Sequence, residues 1–143
     1  MPETKKVFSL NIDLDFLDNV YILGIQAPLL PVHRLAYFLN RDAQWDLTRT
    51  DDYLGAYALL QHTLPLERLN LFLLENKIPT PLVPTEDCDY FLLACGEVDH
   101  YDFKALTELI ENMESIFSVY PVDIKRHETL QNFFLEDDRF PKI

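Results

Sequence analysis

At 143 residues, with 48% hydrophobic and 25% charged side chains, the chain is long enough to bury one core and too apolar to be disordered. Twelve Lys and Arg face 24 Asp and Glu, a formal net charge of −12 that opposes binding to nucleic-acid backbones and anionic membranes. Three scattered glycines cannot build a Walker loop, a dinucleotide fingerprint or a nucleophile elbow, so the common nucleotide and hydrolase motifs are excluded.

The opening Met1-Pro2-Glu3-Thr4-Lys5-Lys6 carries no long apolar stretch behind its lysines, so no secretory signal is expected. Val7 to Asp13 alternates as a strand, with Phe8, Leu10, Ile12 and Leu14 on one face and Ser9, Asn11, Asp13 and Asp15 on the other. A turn at Asp18-Asn19 leads to a second strand, Val20 to Ile25, which pairs with the first as a hairpin. Pro31 suits a first helical position, and Val32, Leu35, Ala36 and Leu39 stripe a helix that runs to Asn40. Trp45, Leu47 and Arg49 begin a third strand ending at Thr50-Asp51-Asp52. Tyr53, Tyr57, Leu59 and Leu60 sit in a weaker fourth, and Leu69 to Leu74 is the fifth.

The prolines of Ile78-Pro79-Thr80-Pro81-Leu82-Val83-Pro84 cannot donate to a regular ladder, so this segment reads as a loop. Tyr90 to Cys95 is a buried strand closed by Gly96. Asp99 is the expected cap of the next helix, with Asp102 in its acidic first turn. Phe103, Leu106, Leu109, Ile110 and Met113 then recur at helical spacing, the clearest helix signal in the chain. A last strand spans Ile116 to Val122, and Pro121 places it at a sheet edge. Glu128 to Leu135 reads as a short terminal helix.

These elements predict a single α+β domain over residues 1–143, with 136–143 as a disordered tail. Its architecture is a two-layer sandwich: a largely antiparallel sheet of six or seven strands, two main helices on one face and the short C-terminal helix. A ferredoxin-like core with extra strands is the expected topology. No stretch is long enough and apolar enough to span a membrane. Cys88 and Cys95, placed on one strand, lie about 23 Å apart, beyond disulfide reach, and two unpaired thiols fit a reducing cytoplasm.

The most suggestive chemical group is acidic. Asp13 and Asp15 share a strand face and, with Asp51 and Asp52, would form a divalent-metal or small-molecule site if the first and third strands are neighbours. The plainer explanation is solvated strand ends and turns, because such pairs supply few of the six or more oxygens that calcium needs. His33, His62, His100 and His127 include no pair at helical i, i+4 spacing, so no zincin site is expected. Cys88 is flanked by Asp87 and Asp89, whose charges suppress thiolate, and Cys95 reads as core. Among the aromatics, Tyr53, Tyr57, Phe133 and Phe134 are the candidate partner contacts.

The segments Leu10-Asn11-Ile12-Asp13-Leu14-Asp15-Phe16, Leu23-Gly24-Ile25, His33 to Arg41 and Arg49-Thr50-Asp51-Asp52-Tyr53, with Val83-Pro84-Thr85-Glu86-Asp87-Cys88-Asp89-Tyr90, resemble the IPExxxVDY family, small proteins of Bacteroidetes. In the last segment Pro84 and the terminal Asp89-Tyr90 match. Thr85 stands where the family has glutamate, and the spacing is one residue shorter. The resemblance covers roughly residues 7 to 135, implies a bacterial cytoplasmic protein and implies no reaction.

The expected function is a non-enzymatic cytoplasmic domain acting through a protein partner or as a homodimer, without nucleic acid, membrane or cofactor. The alternative is the small-molecule or metal site of the four aspartates, with catalysis open.

Overall fold

The computed structural model describes residues 19–49, 59–64, 68–77, 86–128 and 131. Its elements are β1 (Val20–Gln26), α1 (Val32–Ala43), β2 (Thr48–Arg49), β3 (Leu59–Leu64), β4 (Leu69–Glu75), β5 (Tyr90–Gly96), α2 (Phe103–Glu111) and β6 (Ser118–Val122). The strands form one antiparallel sheet in the order β2-β3-β4-β5-β1-β6. In the inner run β4-β5-β1-β6 each helical connection skips one strand. The connection through α1, β2 and β3 leads from β1 to β4 with β5 between them, and α2 leads from β5 to β6 with β1 between them. The short β2 and β3 extend the sheet beyond β4.

The centre of the sheet falls where the chain is most apolar. Leu69-Asn70-Leu71-Phe72-Leu73-Leu74 and Tyr90-Phe91-Leu92-Leu93-Ala94-Cys95 carry apolar side chains at nearly every position, as strands buried on both faces do. On one face Leu23, Ile25, Leu71, Leu73, Leu92 and Ala94 join Leu35, Phe38 and Leu39 of α1 and Phe103, Leu106 and Ile110 of α2 in a single core. Tyr21 stacks on Phe103 with ring centroids 4.1 Å apart. On the other face Ile22, Phe72, Phe91, Leu93 and Cys95 are equally buried. Each fully buried Leu, Ile or Phe contributes about 1.5–3 kcal/mol relative to exposure.

The helix ends explain where the elements stop. The Pro31 carbonyl accepts from the amides of Arg34 (3.0 Å) and Leu35 (3.1 Å), so Pro31 is the residue before α1 rather than its first turn. Gln44, at φ 59°, ends α1 in the left-handed region, three residues beyond the expected Asn40. Asn40 then pins the exit: its Oδ1 accepts from the Leu47 amide at 2.8 Å, and its Nδ2 donates to the Leu47 carbonyl at 3.3 Å. That clasp buries Trp45 and Leu47 in the turn, so the third strand shrinks to Thr48–Arg49.

Two further expectations are corrected. Both edges of β1 are occupied, by β5 and β6, so the hairpin expected between Val20–Ile25 and the run before it gives way to these pairings. Asp102, not Asp99, caps α2: its carboxylate accepts from the Ala105 amide at 3.0 Å, while Asp99 lies in a 3₁₀ turn, Val98–His100. Pro121 sits in β6, at the edge of the sheet, as its missing N–H implies. Among the described residues no helix is long and apolar enough to cross a membrane. The expected first strand, most of the terminal helix and the 136–143 tail lie outside the described residues.

Candidate functional site

Asp13, Asp15, Asp51 and Asp52 lie outside the described residues, and so do Tyr53, Tyr57, Phe133 and Phe134. Among the described residues no three His, Cys, Asp or Glu side chains gather as a metal site would require. Of the histidines, His33 and His100 are exposed. His127 has a defined polar environment.

That environment begins at Gly24. A side chain there would meet the Tyr120 ring at 2.9 Å, so the glycine of β1 lets Tyr120 of β6 lie flat across it. The ring carries its hydroxyl to the segment before β5, where it donates to Glu86 Oε1 at 3.0 Å. The other oxygen of the same carboxylate, Oε2, lies 2.6 Å from His127 Nε2, and both side chains are largely buried. Glu86 thus ties the segment before β5 to the edge strand and to the residue that follows the 3₁₀ turn Ile124–Arg126.

Cys88 lies beside this hub, ahead of β5 rather than on it, and it is buried and free, as is Cys95. Its thiol is pushed up to about 11, first by burial and also by the charges of Glu86 and Asp89, with a Tyr120 hydrogen bond opposing. Of the two flanking carboxylates Asp89 acts as expected, Glu86 takes the part expected of Asp87, and desolvation is the larger cause. Burial likewise raises Cys95, to about 12. In a nucleophilic assembly the imidazole stands between thiol and carboxylate. Here Tyr120 faces the thiol and the carboxylate, while His127 pairs with Glu86. The thiol keeps its proton, so these four side chains act as a clasp.

The neighbouring residues are clasped in the same way. Asp89 Oδ2 accepts from the Ala27 amide at 2.7 Å. The buried Asn76 donates from its amide to the Asp89 carbonyl at 2.7 Å and from Nδ2 to the Cys88 carbonyl at 3.0 Å. The Tyr90 hydroxyl donates to the Leu30 carbonyl, which also accepts from Lys77 Nζ at 2.9 Å. The ammonium of Lys77 rests 4.8 Å over the Tyr90 ring. Glu86 to Tyr90 therefore joins β1, β4, β5 and β6 at one end of the sheet.

Two large apolar side chains are exposed at this end. Leu29, in the turn between β1 and α1, is 80% exposed, and Phe117, just before β6, is 67% exposed. The Phe117 amide donates to the Gln26 carbonyl at the end of β1 (2.8 Å), so the two residues belong to the same end. Phe117 also lines a cavity of about 280 Å³ with Glu111, Ile116, Ser118 and Val119. The sequence reading placed Phe117 in a strand and missed its exposure. The signal was local: Ser115 takes φ 68°, and this turn sets Phe117 outside the ladder.

No protein-family model matches the chain, and no curated protein or solved structure matches it either.

Proposed function

We propose that this chain is a non-enzymatic, cytoplasmic protein-interaction domain on a ferredoxin-like variant, and that its partner is a basic protein. The observation that carries the reading is the exposure of Phe117 and Leu29 at one end of the sheet. Large apolar side chains held in water beside a concavity are a common feature of contact surfaces. The charge of −12 selects the partner: a basic protein is attracted, whereas a second copy brings the same charge and is repelled. A protonated, buried thiol and a histidine engaged with Glu86 supply no nucleophile, which also favours binding over catalysis. The resemblance to the IPExxxVDY family belongs to this reading, and the motif segment Glu86 to Tyr90 serves it as scaffold.

Chemical cross-linking of the full chain in cells, mapped by mass spectrometry, tests the reading. The expected result is a heterologous cross-link to a Lys- or Arg-rich segment of one partner, lost on raising the salt. Cross-links only between copies of this chain, or none above background, would overturn it. The metal-site alternative through Asp13, Asp15, Asp51 and Asp52 gains no observation from the described residues.

A further inference from the structure

Resting on that reading, we propose that the corner between the end of α2 and the start of β6 takes up a basic, extended segment of the partner. Lys or Arg side chains would meet the carboxylates around the cavity, and an aliphatic side chain would lie against the exposed ring of Phe117. The cavity of about 280 Å³ is lined by Glu111, Ile116, Phe117, Ser118 and Val119, and the surface it presents is more polar than apolar.

Three carboxylates gather at this end of α2. Glu108 and Glu111 lie on the last turn of α2, Glu114 follows it, and all three are exposed. None of them forms an ion pair among the described residues. A helix C-terminus carries about half a negative charge, which a basic residue in its last turn commonly offsets. The last turn of α2 has no basic residue, so the dipole adds to the carboxylates.

Backbone geometry places the contact at the same spot. Among the described strands β6 bounds the sheet, and Pro121 has no N–H to offer an added strand. Ser118 and Tyr120 turn their amides to β1, so the outward amide that remains beside the cavity is that of Val119. An extended segment laid there reaches the cavity with every second side chain. A second copy of this chain would bring its own glutamates to the same corner, so a basic partner is the fitting occupant.

The test titrates the isotope-labelled full chain with a short peptide of alternating lysine and leucine, and with a glutamate–leucine peptide as control. The expected result is amide shifts confined to Glu111–Val119 with the basic peptide only. Glu111→Lys with Glu114→Lys, or Phe117→Ser alone, weakens binding about tenfold or more, as loss of a central contact does. All three positions are exposed, and the amide spectrum itself reports whether each variant is folded. Shifts confined to another surface, such as that around Tyr37, would overturn this corner and leave the interaction reading standing. An equal response to the acidic peptide, or none to either, would also overturn the corner. The cross-linking result then decides the broader reading independently.

Discussion

Gly24 is a single hydrogen in place of a side chain, and it decides where Tyr120 lies. An added methyl would sit 2.9 Å from Tyr120 Cζ and 3.1 Å from Val122 Cγ2. Gly24→Ala is therefore predicted to destabilise the fold by about 1–2 kcal/mol, the cost of overpacking less the backbone entropy that alanine saves. Urea unfolding should show a lower midpoint with an unchanged slope; an alanine variant as stable as the parent would refute the contact. The two thiols make a second prediction at this scale. Burial raises both above their ordinary value of 9.0, Cys88 to about 11 and Cys95 to about 12. The unfolded chain then releases these protons first, so the stabilisation is complete below about pH 9 and is lost as pH rises toward 11 and 12. Unfolding free energy measured across pH 8–11 should fall on the alkaline side. In the same range native Cys88 and Cys95 should resist iodoacetamide until denaturant is added. Rapid alkylation of the native chain at pH 8 would contradict the burial of the thiols. The hub itself was not legible in the sequence. Glu86 and His127 are far apart in the chain, and their pairing depends on β6 lying beside β1. The individual signals were visible: a glycine inside an apolar strand, a tyrosine in an edge strand and an acid ahead of a buried strand.

At the scale of elements, the sequence was clear wherever periodicity was long or burial complete. Tyr90 to Gly96 and Leu69 to Glu75 have the nearly continuous apolar runs of central strands, and Phe103 to Met113 has the stripe of a helix packed on a sheet. Local rules failed where a side chain overrode them. Asn40 captures both backbone groups of Leu47 and turns an expected strand into a buried bend. Asp99 and Asp102 were equivalent as caps by residue type, and the 3₁₀ turn at Val98–His100 leaves only Asp102 in reach of the Ala105 amide. Asp102→Ala should therefore cost about 1 kcal/mol, while Asp99→Ala should be nearly silent. Thermal unfolding of the two variants separates them, and equal losses would contradict the assigned cap. The hairpin partner of β1 was misjudged because alternation marks a strand without naming its neighbours; each helical connection skips a strand, so β1 meets β5 and β6.

Over the whole molecule, charge and burial divide the work. The central strands β4 and β5 are buried on both faces, and the net charge of −12 resides in a chain with twice as many acids as bases. That imbalance disfavours self-association and favours basic partners, with a salt dependence that follows the screening length of about 8–10 Å at physiological ionic strength. The exposed Phe117 and the carboxylates at the end of α2 concentrate both forces at one corner. None of this placement was available from composition, which gave the sign of the charge and not its position. Native mass spectrometry of the untagged full chain, gently purified from its own cells, tests the central claim most directly. The account predicts a retained partner with a Lys- or Arg-rich segment, released at high salt and not retained by Phe117→Ser. A chain that instead retains a metal ion or a small metabolite in stoichiometric amount, with no protein partner, would contradict it.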